Sequence, residues 1–194
     1  MNFLAHIYLS GDNDLIKIGN FMADGIRGKQ YEAFPSEVRK GIILHRAIDT
    51  FTDSHPIFRQ TTKRLHTQYH HYAGVIADVY YDHYLAKNWS RYHDQELSEY
   101  THAFYKSLYD NYAILTAKTK ELLPSMVKYN WLLSYTTVEG IDAILKQMDR
   151  RTPYRTDMHF SAAELQLYYT EFEHEFTTFF EQLCEFSKQK LLIL

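Results

Sequence analysis

The sequence has little of what would mark a secreted or a membrane-spanning protein. Its single cysteine, Cys184, cannot form an intramolecular disulfide, which argues against a disulfide-stabilised secreted scaffold. No uncharged apolar stretch reaches the roughly 18 residues that a transmembrane helix needs. The first residues also lack the basic and apolar segments of a signal peptide. We therefore expect a cytoplasmic protein that does not bind in a membrane.

An excess of positive charge is also missing. The chain has 21 Lys and Arg against 24 Asp and Glu, a net charge of −3 with histidine neutral. Proteins that bind nucleic acid are usually basic, so no nucleic-acid partner is expected. Histidine, in contrast, is abundant at eleven residues, and metal and phosphate chemistry often uses it. The composition gives no indication of the oligomeric state.

Glycine and proline are scarce, with seven and four in 194 residues. Apolar residues recur at intervals of three and four along most of the chain, which predicts an all-α protein. The length fits one domain, so we expect a single helical bundle over 1–194, in which 156–194 form a long C-terminal helix packed on the rest. The predicted helices cover 13–27, 35–53, 56–69, 74–89, 94–109, 124–135, 138–150 and 161–190.

The helix predicted over 35–53 carries acid and histidine on a partly aliphatic face. At about 100° per residue, His45, Asp49 and Asp53 fall within an arc of about 80°. Val38 and Ile42 lie on the same arc. A buried carboxylate needs a cationic partner. The alternative is a His–Asp pair on a solvated helix face, which stabilises little.

The helix after Gly74 brings two like charges together. Asp78 and Asp82 are four residues apart, and their neighbours are mostly apolar or aromatic with no Lys or Arg in the turn. Carboxylates at this spacing repel each other, and a divalent cation would remove the conflict. His83 points about 100° away from Asp82. It either orients a ligand from behind or is a core histidine.

Two further side chains extend this pattern. Asp24 is predicted near a helix C-terminus, where a carboxylate opposes the helix dipole, and His6 lies in a mostly apolar segment. The candidate ligands are then a His and Asp set from several helices: His6, Asp24, His45, Asp49, Asp78 and Asp82. Such a mixed set suits Mn²⁺, Fe²⁺ or Mg²⁺ better than structural Zn²⁺. A metal of this kind polarises a phosphoryl oxygen and activates water.

Several short segments combine these residues in a recognisable order. They are Met1 to His6, Gly19 to Asp24 followed by Arg27-Gly28, His45 to Asp49 with Thr52-Asp53, Asp78 to His83 and, more weakly, Met148 to Arg151. In order and spacing, over about residues 1–155, the chain resembles the acyl carrier protein phosphodiesterase family, also called ACP hydrolyase. The resemblance implies an altered, all-α HD-type phosphohydrolase that uses Mn²⁺. The implied reaction hydrolyses the phosphodiester between 4′-phosphopantetheine and a serine of holo-acyl carrier protein.

The resemblance also implies roles for individual residues. Asp24, His45, Asp49 and Asp78 rank first as metal or catalytic residues, and His6, Asp82 and His83 follow. Where HD enzymes have an adjacent His-Asp pair, this chain has Asp82-His83.

Four residues are expected to take part in the chemistry around the metal. Asp24 is expected to orient or deprotonate the attacking water. Arg46, beside His45, is expected to hold phosphate oxygens, with an ordinary surface arginine as the alternative. His83 and Asp53 are expected to orient the metal ligands by hydrogen bonds without contacting the metal themselves.

The expected partner needs a local basic surface. Carrier protein is acidic and this chain is net negative, so overall charge cannot supply the attraction. The candidates near the predicted site are Arg27, Lys29, Lys63 and Arg64. Ordinary solvated charge is the alternative interpretation.

Two other functions remain open at this point. One is an HD-like phosphohydrolase that acts on a nucleotide. The other is a non-enzymatic helical module with a structural His/Asp site. Release of apo-carrier protein and phosphopantetheine from purified holo-protein would separate all three hypotheses, whereas metal content alone would not.

Overall fold

A computed structural model describes residues 1–152 and 156–194, and the regular structure in these residues is entirely helical. The all-α prediction is therefore confirmed. Among the described residues, no helix combines the length and the apolar character needed to cross a membrane. The α-helices are α1 (Phe3–Tyr8), α2 (Asp14–Met22), α3 (Ser36–Ser54), α4 (Pro56–Tyr69), α5 (Ala73–Lys87), α6 (Leu97–Asp110), α7 (Ala117–Lys128), α8 (Trp131–Ser134), α9 (Val138–Arg151), α10 (Ala162–Leu167) and α11 (Tyr169–Leu192).

Some predicted boundaries were wrong, each for a local reason. The six-residue α1 is too short to show a helical period and was not predicted. The helix predicted over 13–27 ends at Met22, where the chain tightens into a 3₁₀ turn over Ala23–Gly25. Pro124 was expected to begin a helix but lies inside α7. That helix begins earlier because the Thr116 side chain accepts a hydrogen bond from the Thr119 amide.

The C-terminal segment also differs from its prediction. Instead of one helix over 161–190, it forms a 3₁₀ turn over Met158–Ser161, then α10, a break at Tyr168, and α11. Helix α11 packs on α3, α4 and α5. Four of the seven residues that α11 buries are phenylalanines; the seven are Phe172, Glu175, Phe176, Phe179, Phe180, Leu183 and Ser187.

Two glycines bring the backbones of α2 and α3 into direct contact. A Cβ atom on Gly19 would lie 2.1 Å from the Val38 carbonyl oxygen, and one on Gly41 would lie 2.1 Å from the Ile16 carbonyl oxygen. No side chain fits in either place, so each glycine allows the facing helix to approach. This close contact positions the C-terminal end of α2 beside the middle of α3.

Helix α1 depends on a carboxylate from α5. Asp82 is fully buried and accepts hydrogen bonds from the Leu4 amide at 2.7 Å and the Ala5 amide at 3.2 Å. A carboxylate satisfies the free amides of a helix N-terminus and matches the helix dipole. Burial raises the pKa of Asp82 to about 7, against the effect of these amides. Asp82 therefore fixes α1, which carries His6.

The close contact between α2 and α3 can be tested by substitution of Gly19. We expect Gly19→Ala to lower the free energy of unfolding by about 3 kcal/mol, because the added methyl group forces the α2 and α3 backbones apart. Urea unfolding followed by circular dichroism measures this. Gly74→Ala is the control, since a Cβ there meets nothing within 4 Å and alanine favours a helix. Equal stability of the two variants would contradict the packing described here.

Candidate metal centre

His45 and Asp49 of α3 form the centre of the site with His6 of α1. The His45 Nε2 atom lies 3.0 Å from Asp24 Oδ1 and 3.1 Å from Asp49 Oδ2. The other oxygen of Asp49 lies 3.3 Å from His6 Nε2. The two imidazole rings stack, with centroids 4.1 Å apart. Asp49 thus joins both imidazoles, one through each carboxylate oxygen.

This arrangement is suited to a metal ion. One donor atom from each of His6, His45 and Asp49 lies within 4.8 Å of the others. Asp24 adds a second carboxylate beside His45, with its side chain 62% exposed. Imidazole nitrogens and carboxylate oxygens are both ligands of divalent metal ions in proteins.

Asn20 of α2 sets the orientation of the His45 ring. Its Nδ2 group donates to the His6 carbonyl and to Ser10 Oγ, each at 2.9 Å. The Asn20 Oδ1 atom therefore accepts from His45 Nδ1, 3.2 Å away. With a proton on Nδ1, Nε2 is directed towards Asp24 and Asp49, where it donates a hydrogen bond when protonated and could bind a metal ion when it is not. Such support of a histidine from behind is typical of metal ligands.

The pKa shifts of His45 and Asp49 indicate that the space between the carboxylates favours a positive charge. Burial lowers the pKa of His45, but the hydrogen bonds to Asp24 and Asp49 outweigh it and raise this pKa to about 9. Burial lowers the pKa of His6 to about 4. Burial would raise the pKa of Asp49, but His45 and His6 hold it well below its usual range. A protonated His45 between two carboxylates occupies the place that a cation would take.

The predicted repulsion between Asp78 and Asp82 is relieved in an unexpected way. Asp82 uses both oxygens on the amides of α1. Asp78 accepts from the Met1 amino group at 2.7 Å. The Met1 carbonyl in turn lies 3.1 Å from His6 Nε2. Asp78 is therefore connected to His6 through Met1, and Asp82 is connected to it through α1. Neither carboxylate has a described contact with His45 or Asp49.

His83 and Arg46 serve the fold in the described contacts. His83 Nδ1 donates to the Tyr135 carbonyl, and its Nε2 accepts from the Tyr169 hydroxyl, both at 2.7 Å. The Arg46 guanidinium donates to the carbonyls of Ile26 and Gly28 at 3.0 and 2.9 Å. It thereby fastens the loop after Asp24 to α3. Neither residue lines the cleft in front of the metal centre, so this geometry does not favour phosphate binding by Arg46.

The basic patch predicted from the sequence is not at the site. Arg64 pairs with the buried carboxylate of Glu175. Arg27, Lys29 and Lys63 are exposed, but none of them lines the cleft. These four cations are close to Asp24 or Asp53 in sequence, but the fold places none of them in the lining of the cleft.

A cleft of about 1330 Å³ opens in front of the centre. Its acidic wall consists of the predicted site residues His6, Asp24, His45, Asp49, Asp53 and Asp78. A further part of the lining comes from residues 118–152, mostly on α7, α8 and α9, and was not predicted from the sequence. It includes Lys118, Glu121, Leu122, Tyr129, Trp131, Ile144, Lys146, Met148, Arg150 and Arg151. Only the weak match at Met148 to Arg151 pointed there. Asn20 was missed as well, although it lies inside the matched segment that ends at Asp24.

Comparison with known proteins gives a consistent result. The profile of the family described as acyl carrier protein phosphodiesterase matches residues 1–183. A Photorhabdus laumondii protein of that name is 30% identical over 191 residues, 98% of this chain and 96% of that protein. Proteins of the same name from Pectobacterium atrosepticum and Escherichia coli are 28% and 30% identical, with 99% of this chain and 100% of each relative covered. No solved structure matches the chain significantly.

Substitution of two aspartates of α3 should have different effects on the affinity for Mn²⁺. Asp49→Asn should weaken Mn²⁺ binding by more than about a hundredfold, because it removes a negative oxygen shared by His6 and His45. Asp53→Asn is the matched control, since its side chain lines the same cleft without a described contact to either histidine. Electron paramagnetic resonance titration of free Mn²⁺ measures both. Equal affinities in the two variants would argue against the assigned ligand.

Proposed function

The chain belongs to the acyl carrier protein phosphodiesterase family, and we propose that it hydrolyses holo-acyl carrier protein to apo-protein and 4′-phosphopantetheine. The observation that carries this proposal is the group formed by His6, His45 and Asp49 at one wall of a large cleft. We further propose Mn²⁺ as the metal, with Mg²⁺ or Fe²⁺ as alternatives, and the cytoplasm as the location. When bound, such an ion would polarise a phosphoryl oxygen and lower the pKa of a nearby water.

We propose two roles for the residues of the site, metal ligands and residues that position those ligands. We assign His6, His45 and Asp49 as ligands, with Asp24 beside them and Asn20 holding the His45 ring. Asp78 supports this group through Met1, and Asp82 does so by fixing α1. In this assignment Asp78 and Asp82 position the centre and do not touch the metal.

The reaction requires one water and transfers one proton. Water attacks phosphorus, the bond from phosphorus to the serine oxygen breaks, and the serine oxygen receives the proton that water loses. Asp24 faces the cleft, and hydrogen bonding to His45 holds the pKa of its carboxyl below the usual range. An ionised carboxylate with a low pKa is a weak base, so Asp24 serves mainly to orient the water.

The cleft has the size and lining that this substrate needs. Its volume of about 1330 Å³ exceeds the roughly 300–1,000 Å³ of common small-molecule pockets. Leu122, Ile144 and Met148 add apolar residues to its lining. We propose that the long, largely uncharged arm contacts these residues while its phosphodiester meets the metal centre.

Removal of the metal should abolish the reaction. We expect EDTA to stop the release of 4′-phosphopantetheine from purified holo-carrier protein, and Mn²⁺ to restore it better than Mg²⁺. Mass spectrometry of the carrier protein follows the loss of the prosthetic group. Full activity in a preparation shown to be free of metal would refute the proposed chemistry. Release of phosphate from nucleotides without action on holo-carrier protein would instead favour the nucleotide phosphohydrolase.

Asp24 should matter for turnover rather than for folding. We expect Asp24→Ala to lower kcat at least about a hundredfold through loss of the group that orients water. The fold should survive, since the side chain is 62% exposed. Asp12→Ala, at an exposed carboxylate outside the cleft, is the control. Rates under saturating holo-carrier protein, together with thermal melts, decide the matter, and near-normal turnover of Asp24→Ala would move the catalytic role elsewhere.

A further inference from the structure

The part of the cleft lined by α7 and α9 carries four exposed cations, which we call the basic rim. It consists of Lys118 on α7 and of Lys146, Arg150 and Arg151 on α9. Lys146 is paired with Asp142 at 2.6 Å. Within the described chain, no ion pair or side-chain hydrogen bond involves the other three cations. Their charge is therefore available to a partner.

The cleft is thus lined by charges of both signs, which come from different helices. Asp24, Asp49, Asp53 and Asp78 contribute carboxylates to the acidic wall, while cations predominate on the basic rim. An acidic molecule is repelled by the first side and attracted by the second. Complementary and like-charged surfaces of this kind select an orientation as well as a partner.

The position of the scissile bond restricts where the substrate protein lies. In holo-carrier protein the phosphodiester is attached directly to a serine side chain, so the body of the carrier protein must stand at the mouth of the cleft when phosphorus reaches the metal centre. We propose that the basic rim, through Lys118, Arg150 and Arg151, is the surface on which the acidic face of carrier protein docks. This inference rests on the proposed function.

Aromatic side chains at the same place support a protein partner. Tyr129 is 61% exposed and lies on the cleft beside Trp131. The Arg151 guanidinium lies 5.2 Å from the centroid of the Trp131 ring. Tyr, Trp and Arg are the residues that interfaces between proteins favour. Tyr129 and Arg151 are exposed and Trp131 is partly exposed, so this part of the cleft is suited to a transient complex with a protein.

The exposure of the basic rim also decides between a protein and a small phosphate as its occupant. Lys118, Arg150 and Arg151 are all exposed, whereas a specific site for a small anion is typically concave and buries most of its ligand. Exposed charges at a rim act mainly on the rate of encounter. The basic rim should therefore affect KM and leave kcat nearly unchanged.

The test compares two charge reversals of equal size. Lys118→Glu/Arg150→Glu changes the basic rim. Lys29→Glu/Lys63→Glu changes exposed lysines outside the cleft by the same net charge. Lys118→Arg/Arg150→Lys keeps the charge of the basic rim. Steady-state hydrolysis of holo-carrier protein, Mn²⁺ affinity, and binding of apo-carrier protein by fluorescence anisotropy are measured for each.

We expect the reversal on the basic rim to raise KM about tenfold or more and to weaken binding of apo-carrier protein equally. Its kcat and Mn²⁺ affinity should stay within about twofold of wild type, and the other two variants should match wild type throughout. Unchanged affinity for apo-carrier protein after the reversal, or an equal loss in Lys29→Glu/Lys63→Glu, would overturn the docking surface while the proposed function stands. Absence of hydrolysis by the wild-type protein itself would overturn the proposed function, and the docking surface with it.

Discussion

The metal centre depends on how closely two helix backbones approach each other. With glycine at Gly19 and Gly41, α2 lies against α3 without intervening side chains. Asn20, the residue after Gly19, can then reach the ring of His45, and the turn after α2 brings Asp24 to the same ring. A wider spacing would remove Asn20 from the Nδ1 side of His45 and the Asp24 carboxylate from its Nε2 side. The chemistry of the site is therefore set by packing between helices before any ligand is considered.

A second dependence links the core to the short first helix. Six residues form α1, a length that is marginal for a helix without outside support. The support comes from Asp82, which is fully buried and satisfies two amides of α1. Because His6 stands on this helix, the carboxylate acts on the centre from a distance. A buried carboxylate can thus position a residue of the centre through the hydrogen bonds it accepts from a helix N-terminus.

Contacts between residues of a single helix can be predicted from the sequence. His45 and Asp49 are four residues apart, and the helical period places them on one face whatever the rest of the chain does. The same reasoning predicted most of the helices. Residues that meet across helices, such as Asn20 and His45, are 25 positions apart, and no local pattern reports such a contact. For a related reason, the sequence showed the repulsion between Asp78 and Asp82 but not the amides of α1 that bind Asp82. Arg46 and the cations of α9 were likewise placed by tertiary structure.

The way α11 is anchored has a consequence for how the protein is made. Glu175, buried on α11, accepts hydrogen bonds from Gln60 and Thr61 at 2.7 Å each and pairs with Arg64, so its partners lie more than 110 positions earlier. Every residue of the metal centre lies within the first 82 positions and leaves the ribosome long before α11 does. Contacts so distant in sequence form slowly, and N-terminal segments that wait for them expose apolar surface. During synthesis, then, the half of the chain that holds the chemistry remains incompletely packed until the last helix arrives.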